Sequence, residues 1–184
     1  DRARTNYETF KNHTSILFWS LGNESYAGDI LVEMNRYYKE KDPDRLVHYE
    51  GVAENRPYED LISDMESQMY APPEKIKEYL ENNPKKPFIL CEYMHDMGNS
   101  LGGMESYIRL LDQYEDYQGG FIWDYIDQAL FVKDEVTGRD VLRYGGDFDD
   151  RPSDYEFSGN GILFADRTEK PAMQEVRHYY GLRR

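Results

Sequence analysis

Ser15-Ile16-Leu17-Phe18-Trp19-Ser20-Leu21-Gly22-Asn23-Glu24 and its later counterpart Pro87-Phe88-Ile89-Leu90-Cys91-Glu92 decide how this chain folds. Each is an apolar run with little polar alternation that leads to a glutamate. Such a strand requires cover on both faces, as in a parallel sheet flanked by helices. A carboxylate just beyond the run then stands at the carboxyl end of its strand, where α/β folds collect their chemistry. Two such acids could flank one glycosidic bond, one as proton donor and one as nucleophile.

Reading outward from these runs gives a regular alternation. A helix over about 2–12 precedes the first strand at 15–20, and a second helix follows over 28–40, with Ile30, Leu31, Met34, Tyr37 and Tyr38 on one face. Asp42-Pro43 stops it. Leu46-Val47-His48-Tyr49-Glu50 is a short strand, and a polar loop with Pro57 leads to a weaker one at 66–70. Pro72-Pro73 opens a helix through about Glu81, with Ile76, Tyr79 and Leu80 inward. After the strand at 87–92, Gly102-Gly103 opens a helix striped with Met104, Tyr107, Ile108 and Leu111. Gly119-Gly120 introduces the strand Phe121-Ile122-Trp123-Asp124.

Strand ends therefore fall near residues 24, 50, 70, 92 and 124. That rhythm predicts a parallel sheet with right-handed crossovers. It suits a (β/α)8 TIM barrel, which takes about 250 residues; with five strands here, the sheet is open or three strands lie on other chain. Past Asp127 the pattern changes to a hairpin over 131–144 about Thr137-Gly138. Gly/Asp-rich loops and a closing helix over 171–180 follow. Residues 1–130 read as barrel and 131–184 as the hairpin, loops and helix completing the same domain.

The chain has 184 residues and a formal net charge of −14, which disfavours nucleic acid and anionic membrane surfaces as partners. No apolar run approaches the roughly 20 residues of a membrane span. Cys91, the only cysteine, sits in an apolar strand and reads as a small buried hydrophobe, and no intrachain disulfide can form. The expectation is a cytoplasmic protein. The opening Asp1-Arg2-Ala3-Arg4 looks like the middle of a helix, so a piece of something longer is expected. Seventeen tyrosines offer faces for sugar rings, though ordinary half-buried packing explains most such residues.

Only a sheet can bring Glu24 and Glu92 together, and the plainer reading is that each caps the helix after its strand. Asn23 beside Glu24 strengthens the chemical reading, because an amide there can hydrogen-bond a hydroxyl next to the reacting carbon. One acid must carry its proton while the other stays ionised, so their surroundings must differ. Tyr70 is a candidate phenol donor to Glu92. His95 has no second histidine at metal-ligand spacing, which argues against zinc. Gly98-Asn99-Ser100-Leu101-Gly102-Gly103 lacks the lysine of a phosphate loop and reads as a tight turn at a helix start. Trp123 is either core or the aromatic floor under a sugar.

Five motifs taken together resemble the large β-galactosidases of glycoside hydrolase family 2: Trp19–Ser25, Ile89–Ser100, Gly119–Asp124, Tyr144–Phe148 and Asn160–Arg167. They span nearly the whole chain, in order. The resemblance implies the second half of the family's barrel, strands four to eight plus the tail beyond. It implies Glu24 as acid/base and Glu92 as nucleophile of a retaining double displacement on terminal β-D-galactosides such as lactose. It further implies that Asn23, His95 and Asn160 contact substrate, that Tyr70 hydrogen-bonds the nucleophile, and that Trp123 stacks on galactose. Glu24 would share a Mg2+ site whose other ligands lie upstream, and Phe157 (through its carbonyl) and Asn160 would form part of a Na+ site. The remaining half of the barrel, further domains and a homo-oligomer are the implied partners, with the segment inactive alone. His48 stands where the family often has another polar residue. Glucuronidases and mannosidases of the family share the paired glutamates, but the His95–Ser100 run favours galactosides. A sugar-binding or assembly module without hydrolysis is the rival of a different class.

Overall fold

The computed structural model describes residues 1–181. The elements are α1 (Arg2–Phe10), β1 (Phe18–Ser20), α2 (Asp29–Lys41), β2 (Leu46–His48), α3 (Glu59–Ile62), β3 (Glu66–Met69), α4 (Pro73–Glu81), β4 (Phe88–Tyr93), α5 (Met104–Gln113), β5 (Tyr117–Ile122), β6 (Leu130–Lys133), β7 (Asp140–Arg143) and α6 (Met173–Gly181). Three 3-10 turns, Glu50–Ala53, Arg56–Tyr58 and Tyr155–Ser158, interrupt the loops. The chain divides into two compact units, Asp1–Cys91 with Gln113–Gly120, and Glu92–Asp112 with Phe121–Arg184. It passes from one to the other within β4, at the end of α5 and within β5.

In the first unit β1 pairs with β2 in parallel, Trp19 opposite Val47. A separate sheet has the order β3-β4-β5, and among the described residues there is no closed barrel. One backbone hydrogen bond, from the Asp64 N–H to the Val47 carbonyl at 2.8 Å, joins β2 to the segment before β3, and side chains add to it. The Val47 N–H donates to the Asp64 carboxylate at 2.6 Å, and the Tyr49 N–H donates to Ser63 Oγ at 3.1 Å. Short polar side chains thus complete the backbone hydrogen bonding of a strand end that would otherwise be buried unpaired.

The core under β1 and α2 is aromatic. Trp19 stacks on Tyr38 at 5.2 Å between ring centroids and donates its indole N–H to Asp42, while Tyr7 from α1 meets both rings edge-on. Leu31, Val32 and Tyr38 are the buried face of α2, whereas Ile30, expected inward, is 76% exposed. One residue is about 100° of helix, and the face centred on Leu31 and Tyr38 leaves Ile30 on the solvent side. The run at 15–19 also departs from expectation: Leu17 is 76% exposed and β1 begins only at Phe18. Within β1 Trp19 is buried while Ser20 is exposed, so only one side of the short strand is fully covered. α4 presents Ile76 and Leu80 inward as the sequence indicates, and β4 buries Phe88, Ile89 and Leu90.

The fifth strand begins earlier than expected. Tyr117, 3% exposed, anchors it, and Gly119-Gly120 lie inside it instead of introducing it. In the second unit the 160–163 segment runs alongside 124–127, with Asp124 N–H to the Asn160 carbonyl at 2.7 Å and Asp127 N–H to the Leu163 carbonyl at 3.0 Å. Gly161 permits this approach, since a Cβ there would lie 2.3 Å from the Asp127 nitrogen. β6 and β7 form the expected antiparallel hairpin. α5 starts after Gly103 at φ +71°, and its first N–H, on Met104, donates to the Glu175 carboxylate of α6 at 2.7 Å. An acid at a helix N-terminus complements the backbone dipole.

Candidate active site

Glu24 lies four residues past β1 with its backbone in the left-handed region, φ 54°. For a non-glycine residue that conformation persists only when the surroundings hold it, and it gathers at functional sites. Three consecutive residues beyond β2 supply the hold. The Glu24 N–H donates to Glu50 Oε1 at 2.5 Å, the Ser25 N–H donates to the Tyr49 hydroxyl at 2.9 Å, and that hydroxyl donates back to the Ser25 carbonyl. Gly51 completes the contact, because a Cβ there would sit 2.6 Å from the Ser25 oxygen. Burial, and then the charge of Glu50, push the Tyr49 phenol above its ordinary range, so it stays a neutral donor.

Tyr70 is the second predicted residue at this place. It follows β3, is 39% exposed, and also has a left-handed backbone, φ 50°. Glu24, Glu50, Gln68 and Tyr70 line one cavity of about 540 Å³, with Lys75 on its wall. Asn23 is exposed beside Glu24. Beneath the cavity, buried His48 bridges Ser20 Oγ at 2.9 Å and Ser67 Oγ at 2.8 Å, tying β1, β2 and β3 through one imidazole. Burial lowers its pKa to about 4, so the ring is neutral at physiological pH.

The other predicted residues fall in the second unit. Glu92 is half-buried within β4, and His95 follows with its ring edge-on to Phe157, 6.1 Å between centroids. Ser100 Oγ donates to the His95 carbonyl, and Gly98 takes φ +66°, so the glycines after Glu92 do form the tight turn expected of them. Trp123 is 39% exposed just past β5, with its backbone N–H on the Tyr93 carbonyl. Asn160, 4% exposed, donates its amide N–H to the Phe157 carbonyl at 2.6 Å.

Sequence reasoning missed two features. Glu50 carries the signal used for the other two acids, an apolar strand ending in a glutamate, yet was not singled out. Asp96 is 2% exposed; burial raises its pKa to about 6, opposed by the Lys170 charge and assisted by that of Asp127. Lys170 itself is tied to the Asp127 carboxylate at 2.8 Å and to the Gly159 carbonyl at 3.1 Å. No local pattern links these three positions, so only the fold could reveal them.

The arrangement of acids at strand ends, a phenol and a sugar-sized cavity can be set beside known proteins. Residues 1–183 match the family model described as glycosyl hydrolases family 2, TIM barrel domain. The chain belongs to glycosyl hydrolase family 2. Among family 2 relatives it is 75% identical over 181 residues to the β-galactosidase large subunit of Latilactobacillus sakei, covering 98% of this chain and 29% of that one. To the β-galactosidase large subunit of Lactobacillus helveticus it is 73% identical over 182 residues, covering 99% and 29%. A solved β-glucuronidase from Lactobacillus rhamnosus matches at TM-score 0.63 and 18% identity, covering 99% of this chain and 35% of that one. This last likeness speaks for the fold alone: an α/β chain of the family 2 TIM-barrel type. The chain thus spans under a third of the length of these curated relatives. No helix among the described residues is long and apolar enough to cross a membrane.

Proposed function

We propose that this chain is the second half of the catalytic barrel, strands four to eight with the tail beyond, of a β-galactosidase that hydrolyses terminal β-D-galactosides with retention of configuration. The observation that carries the reading is the pairing of Glu24 with Tyr70, both in strained left-handed backbone and both on the wall of one cavity. The family 2 relatives at 75% and 73% identity supply the substrate class. The open sheet of β1 and β2, two strands among the described residues, supports a barrel completed by further chain, since closure removes sheet edges. Residues 1–130 would furnish the strands and helices of the half barrel, and 131–184 the hairpin, loops and helix that complete the domain. The rest of the barrel, further domains or a partner subunit would supply the other wall. The whole enzyme would work in the cytoplasm as a homo-oligomer, on lactose-type substrates.

In the first step the Glu92 carboxylate attacks the anomeric carbon as Glu24 gives its proton to the departing glycosidic oxygen. In the second, Glu24 takes a proton from water, which displaces Glu92 and releases galactose. Asn23, His95 and Asn160 would hold sugar hydroxyls, Tyr70 would donate to Glu92, and Trp123 would face the apolar side of the ring. For a cation, the donor set at the second site is suitable: Asn160 Oδ1 is buried with no hydrogen-bond partner among the described residues, three positions from the Phe157 carbonyl. These two oxygens would hold Na+, a hard cation that takes oxygen ligands. Glu24 would supply one carboxylate to Mg2+, with the other ligands on chain outside this segment; among the described residues no group of three or more acidic, histidine or cysteine side chains is arranged to hold a metal ion. When bound, such ions would fix ligand orientation and local charge.

The test is a panel of nitrophenyl glycosides with the full-length protein, followed by proton NMR of the first-formed sugar. Galactoside turnover with β-galactose released first supports the reading. Preference for glucuronides or mannosides, or initial α-galactose, contradicts it.

A further inference from the structure

Glu50 stands out because the proposed chemistry gives it no task, yet it is a carboxylate 7% exposed on the wall of the same cavity. Its Oε1 accepts the backbone N–H of Glu24 at 2.5 Å, at the one residue of that loop with a left-handed backbone. The neighbours on either side act on the next residue along: Tyr49 grips both the N–H and the carbonyl of Ser25, and Gly51 leaves the room that carbonyl needs. Resting on the reading of Glu24 as the acid/base, we propose that Glu50 is a positioning residue whose carboxylate oxygen sets the backbone of Glu24 and so the point from which its carboxyl reaches the leaving-group oxygen.

A side chain's reach is fixed by its Cα and the φ/ψ on either side, and a glutamate at φ 54° does not hold that geometry unaided. Oε1 is an acceptor matched to that N–H. Without it, the Glu24 loop relaxes toward ordinary backbone and its carboxyl moves relative to the bond it protonates. A displacement of about 1 Å at a catalytic group costs on the order of 100-fold in rate. The loss should fall on proton transfer, because the hydrogen bond that Glu50 makes is to the backbone of the acid.

The experiment compares Glu50→Ala and Glu50→Gln with wild type in the full-length enzyme, using lactose, with its poor leaving group, and 2,4-dinitrophenyl β-galactoside, whose departure requires no acid. For Glu50→Ala the expected result is a loss of about 100-fold in kcat/KM on lactose but under about 5-fold on the dinitrophenyl substrate, the range expected for removal of general acid help. On the activated substrate kcat and KM should fall together, because the galactosyl-enzyme waits for base help from the same Glu24, and azide should restore kcat. Glu50→Gln keeps a carbonyl acceptor and should recover most of the lactose activity. Equal losses on both substrates, or a Gln variant as impaired as the Ala variant, would overturn the proposal. Wild-type enzyme without galactosidase activity would instead overturn the reading of the site itself, so the two failures are distinguishable.

Discussion

The two units treat their buried polar groups differently. In the first, His48 sits between two serine hydroxyls, half-buried Asp64 finishes the hydrogen bonding of β2, and Glu66 is held by Arg56 at 2.6 and 2.9 Å. In the second, the Lys170–Asp127 pair is satisfied, but Asp96 Oδ2 and Asn160 Oδ1 are buried with no hydrogen-bond partner among the described residues. A buried oxygen without a donor costs about 1–3 kcal/mol. The difference teaches where each unit's order comes from. The first unit is built on an aromatic core with polar side chains closing the gaps between strands. The second joins its 124–127 and 160–163 segments by backbone hydrogen bonds, keeps the Lys170–Asp127 pair beside them and carries the β6–β7 hairpin as a further ladder.

That contrast can be broken most sharply at Lys170. Replacing it by Met in the full-length protein strands the Asp127 carboxylate, 13% exposed, and should destabilise the second unit by about 3–5 kcal/mol. Urea unfolding followed by hydrogen exchange should show the loss on 121–170 and little change on the β1–β2 pair. Uniform loss through both units would mean that they unfold as one.

A pH series probes the first unit. His48 has a folded pKa of about 4 against an unfolded value near 6.5, so between those values only the unfolded chain takes the proton. Stability from this group should be intact above about pH 6.5 and fall by up to about 3 kcal/mol as pH drops toward 4. Substituting His48→Gln should flatten that slope in denaturant melts.

Asp96 should behave in the opposite sense. Its folded pKa, raised to about 6, makes ionised Asp96 a cost that is absent below the unfolded value and complete above the folded one. Asp96→Asn should therefore stabilise the protein by about 1–2 kcal/mol at pH 7.5 and change nothing at pH 3.5. At the small end, the Lys133–Asp140 pair on the β6–β7 hairpin is exposed on both sides, and Lys133→Ala should move the unfolding midpoint by less than about 1 kcal/mol.

Much of this was legible in the residues. Periodicity placed α2, α4 and α5, and Pro and Gly marked where they start and stop. Gly119-Gly120 misled because two glycines in a row normally mark a turn, while here buried Tyr117 fixes the strand ahead of them. The short α3 went unread because four residues carry no period. At the site, Glu24 was visible as an acid after an apolar run and Tyr70 as a phenol ending the weaker strand at 66–70, but their strained backbones were not, since left-handed φ has little sequence signal outside glycine and asparagine. The clasp of Glu50 on Glu24, and of Tyr49 and Gly51 on Ser25, is a contact between loops after different strands, which only a folded sheet creates.

The central claim is that Glu92 attacks the sugar and Glu24 serves as its acid/base. Full-length enzyme inactivated with 2-deoxy-2-fluoro-β-galactosyl fluoride, digested and mapped by mass spectrometry, tests it directly. One fluorogalactosyl ester on Glu92, in a peptide spanning 88–100, is the expected result; an adduct on another carboxylate, or turnover without any adduct, would contradict it.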